Sequence, residues 1–148
     1  MFTRWAWFTA YGSRKLEWLT AVHMAVTGLF LLAPPVTLRG SAGLDALGAM
    51  LPEAMWGLTF LALGVANGYA LHINGVAAWT PYVRLAASTL AMALFARMAA
   101  TFIAAAPWSL GTLNLLSLAF LFCGNGVLAA SRDAGREYRR WRGERDGD

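Results

Sequence analysis

Leu85 to Ser131 reads LAASTLAMALFARMAATFIAAAPWSLGTLNLLSLAFLFCGNGVLAAS, 47 residues in which Arg97 is the only charge. A helix needs about 20 mostly apolar residues to cross the hydrocarbon of a bilayer. The stretch therefore holds two crossings, divided where Pro107 removes an amide donor. The same test applied toward the N-terminus finds two more, because Trp18 to Leu38 and Ala54 to Val83 contain no Asp, Glu, Lys or Arg. Composition agrees: 58% of the chain is hydrophobic and 14% charged, against roughly a quarter charged in an ordinary globular chain. So little charge does not cover the surface of a soluble domain. The fold read from this pattern is all-α, an integral membrane four-helix bundle.

The predicted spans are about 16–33, 52–71, 82–106 and 108–130, forming one transmembrane domain over 16–130. Pro34-Pro35 ends the first by removing two amide donors and biasing Ala33 away from helical geometry. Pro52 suits a first helical position, with Glu53 placed to meet the positive end of the helix dipole. Asn74-Gly75 signals a turn, and Thr80-Pro81 reads as an N-cap followed by a first-turn proline. Thr37 to Met50 reads as a loop rich in small residues, in which Leu44, Leu47 and Met50 are spaced for one amphipathic turn. Residues 1–15 form an aromatic interfacial segment and 131–148 a charged tail. The first apolar run follows Arg14 and Lys15 as in a signal peptide. Pro34-Pro35 stands where a small-x-small cleavage site belongs, so the run is read as a retained helix.

Four spans put both termini on one side. That side holds Arg4, Arg14, Lys15, Arg84 and six tail arginines, ten basic residues against Arg39 and Arg97 opposite. The positive-inside rule then places both termini in the cytoplasm of a bacterial inner membrane. Trp5, Trp7, Trp18, Tyr69, Trp79, Tyr82, Tyr138 and Trp141 fall near the inner interface, Trp56 and Trp108 near the outer one, where amphipathic rings act as anchors.

Several functions are excluded or disfavoured. Cys123 is the only cysteine, which removes disulfide chemistry, thiol redox pairs and cysteine zinc sites. The net charge of +4 lies at span ends and in the tail rather than on one soluble face, so no nucleic-acid partner is expected. Before Asp133 the only acids are Glu17, Asp45 and Glu53, all near interfaces. No paired carboxylates, His-Glu motif or Gly-x-Ser-x-Gly elbow occurs. The expectation is a protein that is not an enzyme, with no catalytic residues, metal or cofactor. His23 and His72 raise the case of an axially ligated haem, but they lie at different depths and do not oppose each other across one plane.

Intramembrane polar groups are the remaining candidates, because hydrocarbon makes them costly. Glu17 and Arg84 share a depth at the starts of the first and third spans and are placed to pair. Arg97, thirteen residues beyond Arg84, lies roughly 20 Å deeper at 1.5 Å per residue, with Asn114, Glu53 or the carbonyls near Pro107 as acceptors. It is either a snorkelling structural cation or the lining of a polar path. His23 is expected to hydrogen-bond within the bundle. Asn67, Asn114 and Asn125 are expected to add interhelical hydrogen bonds. Gly57, Gly64 and Gly68 form a stripe in the second span, faced by Ala87, Ala91 and Ser88 in the third and by Gly124 and Gly126 in the fourth; such small residues let helix backbones approach in lipid. The stripe serves either packing within one chain or a homo-oligomer. In the tail, Asp133 with Arg136 and Glu137 with Arg140 stand three apart, as on a helix leaving the membrane.

The order Gly12-Ser13-Arg14-Lys15-Leu16-Glu17-Trp18, Pro52-Glu53-x-x-Trp56-Gly57, Leu71-His72-Ile73-Asn74-Gly75, and Pro81 with Arg84 resembles a group of small four-span membrane proteins of tailed phages and prophages. The likeness covers about half of the chain. Few members of that group have an assigned activity, and some sit in a holin-like gene context, so the resemblance implies origin more than activity and carries over no catalytic residues. The expected function is that of a non-enzymatic phage or prophage inner-membrane protein whose partners are the lipid bilayer and other copies of itself. The alternatives are a small transporter or channel subunit with a polar path through Arg97, Asn114 and Asn67, and a haem-binding subunit. The topology makes a direct prediction: alkaline phosphatase fused after Asp148 stays inactive, while a cytoplasmic reporter at the same point is active. The reverse pattern overturns the orientation.

Overall fold

In hydrocarbon every backbone N–H and C=O must be satisfied within the protein, which helices achieve along their own length. The computed structural model describes residues 14–34, 38, 42–74, 76–105 and 107–145, and among these the regular structure is entirely helical. In chain order the helices are α1 (Lys15–Leu32), α2 (Ala42–Met50), α3 (Glu53–His72), α4 (Thr80–Ala105), α5 (Leu110–Ser117) and α6 (Gly124–Arg145), with a π-helical segment, Leu118–Cys123, joining α5 to α6. Four stretches are long and apolar enough to cross a membrane: Lys15–Leu32, Glu53–His72, Thr80–Ala105 and Leu110–Gly143. The chain is an all-α, multi-pass membrane bundle.

The surface supports this in physical terms. Leu16, Leu19, Val22, Val26, Leu29 and Phe30 line the outside of α1, while Glu17, Thr20, Ala21, Met24, Gly28 and Leu31 face inward. Large apolar side chains also project from α3 (Met55, Leu58, Val65) and from the α5–α6 rod (Leu113, Phe120, Leu121, Leu128). A water-soluble fold does not enclose an arginine and a glutamate behind an apolar coat of this extent. Several hydroxyls within the spans are satisfied on their own helices. Thr20 donates to the Leu16 carbonyl at 2.7 Å and Thr59 to that of Met55 at 2.8 Å, a device open to a hydroxyl in lipid.

The elements alternate in direction. The start of α1 meets the start of α4 and the emergent part of α6 through the ion pairs described below, whereas the end of α1 meets the start of α3 at Gly28 and Gly57. The most intimate pair is α1 with α3. A Cβ on Gly64 would lie 2.5 Å from the Ala25 amide nitrogen and 2.8 Å from the Ala21 carbonyl, and one on Gly57 would lie 2.8 Å from Leu32 Cγ. Gly28 is closer still to the backbone of Leu61. On the other side of the bundle, a Cβ on Gly126 would come within 2.7 Å of Ser88 Oγ, so α6 reaches α4 through that glycine. Between these contacts runs an apolar core of Met24, Trp56, Phe60, Phe95, Leu118 and Cys123. The Phe60 ring lies 4.8 Å from that of Phe95 in a tilted contact, and the Phe95 ring lies 6.1 Å from that of His23.

Several element ends differ from expectation. The fourth span begins at Leu110 rather than Trp108, because Ser109 Oγ accepts from the Thr112 amide at 3.1 Å and caps the helix. It also continues beyond 130 through Arg145, and at 1.5 Å per residue the 34 residues of Leu110–Gly143 reach roughly 51 Å, well past an apolar layer of about 30 Å. Residues from Arg132 onward accordingly stand outside it. α2 is a helix of 9 residues rather than a single turn, held by Leu47, which is fully buried. Thr80 lies inside α4 and donates its hydroxyl to the Ala77 carbonyl at 2.9 Å instead of capping. Trp56 is a correction to the interfacial assignment: it is 3% exposed, and its Nε1 donates to the Leu47 carbonyl at 3.3 Å. The segment 1–13, with Trp5 and Trp7, lies outside the described residues, as do Arg39 and 146–148.

The glycines yield a comparison that sequence spacing does not. Gly68, although four residues from Gly64, faces only ordinary contacts at 3.9 Å from Ala21 and Trp18. Gly64→Ala is expected to destabilise the bundle by about 1–3 kcal/mol through overpacking, whereas Gly68→Ala changes stability by less than about 1 kcal/mol. Thermal unfolding in a mild detergent measures both, and equal effects at the two positions overturn this account of α1–α3 packing.

Candidate functional site: a buried ion cluster at one end of the bundle

A charge in a low-dielectric interior persists only when partners replace its lost water. Arg84, one turn into α4, has no exposed surface, and Glu17, in the first turn of α1, is 3% exposed. Arg84 grips the Glu17 carboxylate with two nitrogens: its Nε lies 3.1 Å from Oε2, and its Nη2 bonds the same oxygen. The remaining donor, Nη1, is shared between Asn74 Oδ1 and Asp133 Oδ2, both at 2.9 Å. Asp133 Oδ2 also accepts from Arg14 Nη2 at 2.9 Å, and its Oδ1 accepts from Arg136. Three arginines and two carboxylates thus join the start of α1, the turn after α3, the start of α4 and the emergent part of α6.

The Asp133 carboxyl sits beyond the apolar span and titrates below the ordinary carboxylate range. Burial opposes its ionisation, but hydrogen bonds from Arg84 and Arg136 and the charges of Arg14 and Arg84 outweigh that penalty. Beside the cluster opens a polar recess of about 340 Å³ whose walls include Arg14, Asn74, Thr80, Asp133, Arg136 and Arg140.

Of the residues singled out by sequence, the structure brings Glu17 and Arg84 together as their shared depth suggested. The tail pairs Asp133–Arg136 and Glu137–Arg140 form at spacing three. Arg14, Asn74 and the second role of Asp133 were not anticipated. Arg14 reads as a topology charge and Asn74 as a turn residue, while Asp133 has a local partner that hides its long-range one. No signal in a single sequence separates these uses.

The other candidates lie apart. Ala87 and Ala91 are buried on the inner face of α4, and Gly57 and Gly64 mark the α1–α3 contact. Arg97 is exposed, and its Nη2 approaches Met50 Sδ at 3.3 Å, because α2 packs against α4 and brings Met50 within reach; among the described residues it makes no hydrogen bond to Asn114. Asn114 is exposed and Asn125 half-buried beside an apolar groove with Met92 and Leu128. Asn67 is 1% exposed, and neither its amide nitrogen nor its amide oxygen has a partner among the described residues. The interhelical hydrogen bonds expected of Asn67, Asn114 and Asn125 are therefore not formed among the described residues. His23 is half-buried against Phe95, while His72 is exposed at the end of α3.

No family model matches the chain, and no curated protein or solved structure matches it either. The site must be read from its own chemistry. All charged members of the cluster are paired with one another, and among the described residues no group of three metal-ligating side chains converges. Such an arrangement fixes helix ends.

That reading has a quantitative consequence. Arg84→Met leaves Glu17 buried without its counter-ion and is expected to cost about 3–5 kcal/mol, while the double variant Glu17→Leu, Arg84→Met recovers much of the loss because no bare charge remains. Unfolding in detergent read by circular dichroism measures the cycle. A double variant no more stable than Arg84→Met alone contradicts this account.

Proposed function

We propose that this is a non-enzymatic inner-membrane protein of phage or prophage origin that acts through assembly of copies, in the manner of a holin, rather than by moving a solute through a single bundle. The observation that carries the reading is the apolar centre of the fold. Between the ion cluster at one end and Arg97 at the other stand Met24, Phe60, Phe95, Leu118 and Cys123, all buried and apolar or nearly so. An ion crossing such a layer would shed its water with nothing in return. Permeability then requires faces of several copies to re-pair, and the glycine and alanine surfaces of α1, α3 and α4 are suited to close helix contact.

The phage or prophage origin rests on the ordered likeness from Gly12 to Arg84. The placement of both termini in the cytoplasm rests on the arginine asymmetry. The transporter alternative draws less support, because Arg97, Asn114 and Asn67 make no hydrogen bond with one another among the described residues, and Arg97 projects outward.

Controlled expression in a bacterium with a potential-sensitive dye tests the proposal. Past a threshold level the membrane potential is expected to collapse abruptly, and Arg97→Leu is expected to leave the collapse intact. Cells that hold their potential at high expression refute the holin reading. A graded leak abolished by Arg97→Leu supports the channel alternative instead.

A further inference from the structure

The arginines at the cluster end are not used up by the carboxylates beside them. Asp133 Oδ2 already receives Arg14 Nη2 and Arg84 Nη1, and its Oδ1 receives Arg136. Arg14 Nη1 is left buried with no partner among the described residues. Arg140 reaches Glu137 only at 3.6 Å and stays largely exposed. These side chains wall the recess of about 340 Å³, in which Arg14, Arg136 and Arg140 face the two carboxylates of Asp133 and Glu137, and Asn74 and Thr80 supply neutral polar groups. The recess carries a surplus of positive charge and of unused N–H donors.

A second recess adjoins it. Trp79, Tyr82, Tyr138 and Trp141 line a mainly apolar cleft of about 640 Å³ that shares Ala78, Glu137 and Arg140 with the first. Both lie where α4 begins and where the apolar part of the last span has ended at Ser131, which is the depth expected of a membrane boundary. Indole and phenol rings favour that depth. A cationic recess that opens onto an aromatic cleft at headgroup level is complementary to a molecule with an anionic head and an apolar body.

We infer that the recess formed by Arg14, Arg136 and Arg140 seats the phosphate of an anionic phospholipid, with the glycerol and upper acyl chains against Trp79, Tyr82, Tyr138 and Trp141. Guanidinium groups bind phosphate through paired charge-assisted hydrogen bonds, and the buried Arg14 nitrogen gains the acceptor it lacks. The lipid bridges the α3–α4 turn and the emergent part of α6, adding a tie across the same helix ends that the ion cluster joins. This depends on the recess lying at headgroup depth and not on the mode of assembly proposed above.

The test titrates the full chain, purified in a neutral detergent, with short-chain phosphatidylglycerol, short-chain phosphatidylcholine and inorganic phosphate. Phosphatidylglycerol is expected to bind more tightly than either of the others. Arg140→Gln weakens it about tenfold, the effect of losing one charge-assisted contact, while Arg142→Gln, an equal charge change on an exposed residue outside the recess, leaves it unchanged. Trp79→Leu provides an independent reading, weakening phosphatidylglycerol without changing the response to phosphate. Equal weakening by Arg142→Gln reduces the effect to diffuse attraction and overturns the site. Equal binding of phosphate or of phosphatidylcholine overturns the assignment to an anionic lipid, and a Trp79→Leu protein that binds phosphatidylglycerol as before overturns the role of the aromatic cleft.

Discussion

A guanidinium that leaves water must find acceptors in the protein, and the architecture of this chain depends on how Arg84 meets that demand. Its helices are apolar nearly all the way round, so hydrophobicity does not say which face of each turns inward. In a soluble bundle the apolar stripe sets the rotation of every helix. Here lipid accepts an apolar side chain as readily as the core does. Rotation and register are left to the residues lipid treats differently from the core, namely charges that must be paired and glycines that let backbones touch. Arg84, with Glu17, Asn74 and Asp133, sets the helix ends; Gly28, Gly57 and Gly64 set how closely α1 and α3 run.

The same physics determines what a reader of the sequence can see. Two charge-free stretches and a third of 47 residues with Arg97 alone are a strong signal, because a single charge at the bilayer centre costs several kcal/mol, about +2.5–3.5 on insertion scales, and the four spans were legible for that reason. Glu17 and Arg84 were legible as a pair because up-and-down topology puts the starts of the first and third spans at one depth. Asp133 was not, since its helix neighbour Arg136 accounts for it locally while its second oxygen reaches Arg84 and Arg14. Gly28 carries no spacing motif of its own in α1 and becomes visible only against Gly57 and Leu61. Trp56 followed the interfacial rule in sequence, yet α2 covers it and offers the Leu47 carbonyl to its indole. The tertiary neighbour, absent from local sequence, decides each of these cases.

Burying Arg84 and Glu17 is not the cheapest way to stabilise a bundle, because desolvation consumes much of the attraction, and well-packed apolar residues often do as well. The cluster is better understood as a device of specificity. The partners of Arg84, namely Glu17, Asn74 and Asp133, come from three different parts of the chain, so one wrong rotation of α1, α4 or α6 leaves a buried charge bare. The apolar centre has no such discrimination: Phe60 on Phe95, in one core with Met24 and Leu118, tolerates sliding that an ion pair does not.

This division of labour describes how the bundle would come apart. Helices α1 and α3 are joined along their length by backbone contact through glycines, and α4 packs on α6 at Ser88 and Gly126. These make two hairpin-like halves with extensive internal contact. Across the seam between them run Arg84 to Glu17, Arg84 to Asn74 and Arg14 to Asp133, together with the apolar contact of Phe60 and Phe95. In a bilayer the apolar part of the seam is exchangeable for lipid or for another copy at little cost, because all three environments resemble one another. The polar part is not, since hydrocarbon offers no substitute for its partners. The halves therefore separate as units or not at all at the cluster end, while the opposite end is held by α2 and by the Trp56 bond to Leu47.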